Sequence, residues 1–198
     1  MCRFIESIKV EDGEFKLLGL HQERVRKAMT DFYPNVKVID LAESLRLTTF
    51  PTDGISKCRI VYDTEIRQVE FVRFEKPEIH SLRLVETTVK SLPYKLENRS
   101  GIAAAMTQRG DCEDVILVKN GLLTDTSYCN IALFDGENWF TPRIPLIYGV
   151  KRTQLLEQGL LIEKDIKTAE ILNFQRIALF NAMNEFGSIE LDISSIRQ

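Results

Sequence analysis

Polar and apolar residues alternate from Arg3 to Val10, the pattern of a half-buried strand, and Asp12-Gly13 turns the chain into a second strand over Phe15 to Leu18. From about Leu20 to Tyr33 the apolar positions recur at helical spacing, and Pro34 closes that helix. Asp40 is a candidate cap for a short helix, Leu41 to Leu47. Cys58 to Tyr62 and Val69 to Phe74 alternate again and predict a hairpin around Thr64-Glu65. Pro77 to Ser81 is the expected domain boundary, dividing the chain into 1–80 and 81–198.

The second half opens with a strand over Leu82 to Thr88, and a helix is expected from about Ser100 to Gln108. From Asp114 the pattern is of short strands punctuated by turn dipeptides. Val115 to Val118 is an unbroken aliphatic run ending at Asn120-Gly121, Asn130 to Phe134 ends at Asp135-Gly136, and Asn138 to Phe140 ends near Pro142. These three strands predict an antiparallel meander. The stretch from Leu123 to Cys129 is expected to be a polar loop that places Asp125 where the sheet's edge begins. Gly149 then precedes a helical pattern running to Gln158. The first amides of such a helix are left without intrahelical partners and form a ready anion site. A short helix over Ala169 to Leu172 and strands over Arg176 to Phe180 and Ile189 to Ile193 complete the pattern.

With 198 residues and 44% hydrophobic content, the chain can bury a core as one large or two small domains. A net charge of −3 argues against a nucleic-acid surface. No apolar run approaches the ~20 residues of a membrane span. The first residues lack the apolar core of a secretory signal, so cytoplasm is the default expectation. Cys2, Cys58, Cys112 and Cys129 show no paired spacing and only two histidines exist, so neither a zinc site nor a disulfide framework is expected.

The order of motifs carries further chemistry. Thr124-Asp125, then Asn130, a strand, a turn, a strand ending Thr141-Pro142, and Gly149-Val150-Lys151-Arg152 together resemble the class IV aminotransferase family of pyridoxal-phosphate enzymes. His21-Gln-Glu-Arg24 is similar to that family's His-x-x-Arg, and Phe4-Ile-Glu6-Ser7 falls where the family carries Phe-Glu-Ser/Thr before a basic residue. Lys95-Leu-Glu-Asn98-Arg99 stands where the family places its Schiff-base lysine, and it looks closer to aminodeoxychorismate lyase than to the transaminases. Asn181-Ala182 leans the same way.

The resemblance implies an α+β class IV aminotransferase-like fold: a small α+β amino-terminal domain and a mostly β, barrel-like carboxy-terminal domain, with pyridoxal 5'-phosphate between them. It implies a homodimer acting on a small-molecule amine, with no nucleic acid, membrane or metal involved. Lys95 would form the Schiff base and then carry the proton. Asp125 would pair with the cofactor's pyridine nitrogen, although relatives usually carry glutamate there. Arg24 and the amides after Gly149, those of Val150 and Lys151, would hold the phosphate, with Asn181 and Ala182 nearby. Relatives also carry a segment ahead of the first strand that this sequence does not show. The favoured activity is the lyase reaction giving 4-aminobenzoate and pyruvate for folate synthesis. An aminotransferase on a small, branched-chain or D-amino acid is second, and a non-catalytic binding or dimerisation module is third.

Overall fold

In the computed structural model, which describes residues 2–46 and 48–198, the first strand β1 (Phe4–Glu11) buries Phe4, Glu6 and Ile8 on one face. Asp12 and Gly13 both take left-handed backbone, and the chain folds back as β2 (Glu14–Phe15). The expected continuation to Leu18 does not form. Leu17 takes φ 55°, which breaks the extended path and starts the helix α1 (Leu18–Phe32) earlier than its spacing suggests. Asp40 Oδ1 accepts the amide of Glu43 at 2.9 Å and so caps α2 (Leu41–Arg46); the expected end at Leu47 lies outside the described residues. The hairpin of β3 (Ile55–Tyr62) and β4 (Ile66–Arg73) then completes an antiparallel sheet in the order β2-β1-β3-β4.

This first unit comprises residues 1–75 together with Pro93–Asn98. The later segment returns to β1, where the amide of Ile5 donates to the Lys95 carbonyl at 2.9 Å and that of Glu97 to the Arg3 carbonyl at 2.9 Å. Tyr94 adds its ring to an aromatic cluster of Phe4, Phe32, Tyr33 and Tyr62. The expected boundary at Pro77–Ser81 thus lies just beyond a division at Glu75/Lys76, and Lys95 packs with the first unit rather than the second.

The second unit comprises 76–92 and 99–198. It contains β5 (Leu82–Glu86), α3 (Ser100–Met106), β6 (Asp114–Lys119), β7 (Leu122–Thr126), β8 (Asn130–Phe134) and β9 (Trp139–Pro142). After these come α4 (Val150–Glu157), β10 (Ile162–Lys164), β11 (Arg176–Phe180), β12 (Glu190–Asp192) and β13 (Ile196–Arg197). A 3₁₀ turn over Thr168–Asn173 stands where a short helix was expected. The nine strands form one sheet in the order β10-β9-β8-β7-β6-β5-β13, with β11 on β8 and β12 on β11. Parallel pairing joins β5 to β6, β13 to β5 and β10 to β9, so the sheet is mixed rather than a plain meander.

One expectation is overturned here. Leu122–Thr126 is a strand, not a polar loop, and Asp125 lies inside it rather than at a sheet edge. Asn120 (φ 53°) and Gly121 (φ 74°) form a tight left-handed turn that sets Leu122 opposite Lys119 and carries the chain straight back along β6. The polar residues tolerate burial because each finds a partner: Thr124 Oγ1 donates to the Leu117 carbonyl at 2.6 Å, and Thr126 Oγ1 accepts the amide of Cys129 at 3.0 Å. Ile116, Leu123, Ile131, Leu133, Ile177 and Leu179 fill the core of this unit, each side chain contributing about 1.5–3 kcal/mol by burial. All four cysteines are free thiols, and among the described residues no helix is long and apolar enough to cross a membrane. The chain is a mixed α+β protein, mostly strands.

Candidate active site

In the first unit, β1 and α1 bring three functional groups into one buried cluster. Glu6 is fully buried, and its Oε1 accepts from Arg24 Nε at 2.9 Å while its Oε2 accepts from Arg24 Nη2 at 2.6 Å. His21 Nδ1 meets the same Oε2 at 2.5 Å. Burial alone would raise the Glu6 carboxyl, but Arg24 and then His21 outweigh it and bring it down to about 2. Burial depresses His21, so the imidazole is neutral, its Nδ1–H donates to Glu6, and its Nε2 is left buried without a partner. The hydroxyl of Tyr62, whose ionisation is pushed up by burial, is likewise buried and unpaired. Arg24 was expected to hold an anion, yet its Nε and Nη2 are committed to Glu6. Only its Nη1 makes no hydrogen bond within the described residues.

Breaking a buried pair strands the other charge, so Arg24→Ala is expected to cost about 3 kcal/mol of stability. Arg26→Ala, on the exposed side of the same helix, should change stability by no more than about 0.5 kcal/mol. Urea titrations of the two variants check the contrast.

Lys95 Nζ donates to Ser7 Oγ at 3.3 Å. Side chains alternate along β1, so Ser7 and Glu6 point to opposite faces. The structure therefore sets the Lys95 ammonium and the Glu6–Arg24 pair on the two faces of one strand.

In the second unit the centre is Asp125, 5% exposed. Its Oδ1 accepts from Asn130 Nδ2 at 2.7 Å, and its Oδ2 accepts from the Ile147 amide at 2.9 Å. Among the described residues it forms no ion pair. Burial pushes its pKa up to about 6, and those two hydrogen bonds hold it from rising further. The spacing Asp125-x-x-x-x-Asn130 is explained by the register: these two residues pair directly across the turn joining β7 and β8. Asn130 also donates to the Ile147 carbonyl at 2.9 Å, so it ties Asp125 to the loop before α4.

Gly149 starts α4 in extended backbone, at φ −70° and ψ 142°, so left-handed freedom is not why glycine stands there. A Cβ would lie 2.0 Å from Asn130 Oδ1. Glycine is required because the side chain that positions Asp125 occupies the space. Gly149→Ala is expected to displace the Asn130 amide and to cost about 1–3 kcal/mol. Thermal melting of the variant checks the cost, and the crystal structure should show Asn130 moved off Asp125.

No side chain caps the start of α4, which leaves the amides of Val150 and Lys151 without a capping group. The Lys151 ammonium itself is bound to Glu185 at 2.7 Å, so any anion there would meet its amide. Asn181 is engaged within its own surroundings. It donates to the Tyr128 carbonyl and to Cys129 Sγ, each at 3.1 Å, and accepts the amides of Met183 and Asn184. Ala182 lies in the turn that these bonds close.

Sequence reasoning did not single out Ser7, His21 or Asn130 as site residues. For Asn130 the signal was present in the spacing from Asp125. For Ser7 it was the alternation with Glu6, which opposes the two side chains.

The group that the motifs call for can be tested against these residues. A buried carboxylate whose direct partners are neutral donors suits a cationic N–H. An uncapped helix start suits a phosphate. The residues present fit pyridoxal phosphate.

The profile of the amino-transferase class IV family matches residues 75–191. An uncharacterized protein of Haemophilus influenzae is 31% identical over 186 residues, covering 93% of this chain and 99% of that one. A Haemophilus somnus 129PT protein provisionally named as a 4-amino-4-deoxychorismate lyase is 26% identical. Its structure superposes with a TM-score of 0.86, over 93% of this chain and 97% of that one. A hypothetical aminotransferase from Mycobacterium tuberculosis, in a PLP-bound form, shares the fold at a TM-score of 0.75 and 16% identity, over 98% of this chain and 81% of that one.

Proposed function

The chain belongs to the class IV amino-transferase family, and from that premise we propose that it is a pyridoxal-phosphate enzyme working as an aminodeoxychorismate lyase. The observation that carries the cofactor reading is Asp125, a buried carboxylate whose hydrogen-bond donors are all neutral and which forms no ion pair among the described residues. For the lyase, the support is the likeness to the Haemophilus somnus protein over nearly the whole of both chains, together with Lys95-x-x-Asn98-Arg99.

Bound pyridoxal phosphate would supply an aldehyde that links to amines and a ring that takes up the electrons of a broken C–H bond. Lys95 Nζ would hold that aldehyde until the substrate's amine replaces it. Lys95 Nζ then takes the proton from the amine-bearing carbon. Ser7 Oγ, at 3.3 Å, orients that amine. Asp125 keeps the ring nitrogen protonated through its charge. The uncapped amides of Val150 and Lys151 would receive the phosphate. Expulsion of the enolpyruvyl group leaves an aromatic ring, so the chain need supply little beyond the proton transfer. The products are 4-aminobenzoate and pyruvate.

The purified protein, loaded with pyridoxal phosphate, is to be incubated with enzymatically generated aminodeoxychorismate, and separately with an amino acid and 2-oxoglutarate. Formation of 4-aminobenzoate and pyruvate is the expected result. Glutamate formation in the second reaction alone would make it an aminotransferase on a small amino acid. Turnover in neither would favour a non-catalytic module.

A further inference from the structure

The interior of the second unit holds two carboxylates that form no ion pair among the described residues, Asp114 at 0% and Asp125 at 5% exposure. It also holds a guanidinium, Arg99, that forms none. Arg99 Nη2 donates to the Ser127 carbonyl at 2.6 Å, and its Nε is buried without a partner. Asp114 grips the same residue by its other end. Its Oδ1 accepts the amides of Ser127 at 3.4 Å and Val115 at 2.8 Å, while its Oδ2 is buried and unpaired.

Ser127 belongs to the turn Thr126–Cys129, closed by a hydrogen bond from the Thr126 amide to the Cys129 carbonyl at 2.8 Å. The residues flanking that turn are Asp125 and Asn130, paired in register and through their side chains at 2.7 Å. We propose that Arg99 is a positioning residue for Asp125: it pins the turn that fixes the Asp125–Asn130 pair and adds to the positive field on the Asp125 carboxylate.

Most of the other groups facing Asp125 are neutral. Asn130 and the amides of Leu146 and Ile147 are neutral donors. Arg152 is cationic and its charge also acts to lower the Asp125 pKa, while its guanidinium is bound to Glu163 at 2.7 Å and to the Pro142 carbonyl at 2.8 Å. Cys129 and Tyr128 are pushed up by burial and remain neutral. Asp114 competes for the same guanidinium, and burial raises its pKa as well. Burial lowers the pKa of Arg99, and the charges of Asp125 and then Asp114 act against that.

Neither carboxylate has an ion-pair partner among the described residues, which leaves a place for one more cation. A protonated ring nitrogen would fill it, and this last step rests on the pyridoxal-phosphate reading.

The test uses the apoprotein, so it stands whether or not that reading holds. Isotope-labelled aspartate carboxyls are titrated by NMR, with the Asp125 signal assigned by its loss in Asp125→Asn. In wild type the midpoint is expected near 6. Arg99→Gln should raise it by about one pH unit or more, and Arg99→Lys, which keeps the charge, should bring it back toward wild type. An unchanged midpoint in Arg99→Gln overturns the proposal, as does a rise of the same size in Arg99→Lys. If Arg99→Gln does not fold, Asp114→Asn decides: removal of the competing carboxylate should lower the Asp125 midpoint, and no change there overturns the proposal.

Discussion

Borohydride reduction of the protein loaded with pyridoxal phosphate, followed by peptide mapping, is expected to place the pyridoxyl group on Lys95. Lys95→Ala should take up no label and should lose at least about 10⁴-fold in turnover, because one amine serves as both acid and base, each worth roughly 10²–10⁴-fold. The motivation is positional. Lys95 is anchored through its own carbonyl to the amide of Ile5, and its Nζ donates to Ser7 on the same strand, so the irregular segment that carries the amine is tied to β1 at both its backbone and its side chain. Ser7→Ala removes only the partner of that amine. A milder loss of roughly tenfold is expected, with labelling still on Lys95. Labelling of Lys9 or Lys151 instead would sink the assignment, and no labelling at all would favour the non-catalytic module.

How much of this was readable in the residues depends on whether the cause is local. The hairpin turns at Asp12-Gly13 and Asn120-Gly121, the Asp40 cap and the strand Arg176–Phe180 are set by neighbours in sequence, and pattern alone places them. β7 was not readable in that way. Leu-Leu-Thr-Asp-Thr looks like a solvated loop because its polar residues are satisfied only by distant groups, the Leu117 carbonyl, Asn130 and the Ile147 amide. Arg24 shows the converse. The sequence marks this guanidinium through its motif, but that the buried Glu6, eighteen positions earlier, holds two of its nitrogens comes only from the fold. Gly149 marks the start of α4 in the sequence, but what it accommodates, the side chain of Asn130, is seen only in the fold. The family resemblance supplied the order of the motifs. The pairings within each motif had to come from the fold.

Asp125→Asn is expected to lower turnover by on the order of 10³-fold, since a neutral amide cannot hold the ring nitrogen protonated and a preorganised charge at the reacting group is lost. The geometry sharpens the expectation. Both carboxylate oxygens of Asp125 accept from donors, Asn130 Nδ2 and the Ile147 amide, and an asparagine amide can satisfy only one of them through its single oxygen. The pH dependence follows in sign. With its pKa raised to about 6, Asp125 is ionised above that value and neutral below it. Wild-type affinity for the cofactor should therefore fall as pH drops through about 6, and fluorescence titration should show that fall absent from Asp125→Asn. Asp125→Glu separates two ways of serving the ring. The extra methylene carries the carboxylate past both donors, so a ring in direct contact with Asp125 must be displaced and turnover should fall. If instead a water bridges aspartate to the ring, glutamate takes the water's place and turnover is unchanged or higher. The fixed position of the carboxylate between its two donors favours the first outcome. Wild-type turnover in Asp125→Asn would remove Asp125 from the reaction altogether. Glu6 could not readily replace it, because its oxygens are already committed to His21 and Arg24, and the ring nitrogen would then be served by no acid of this cluster.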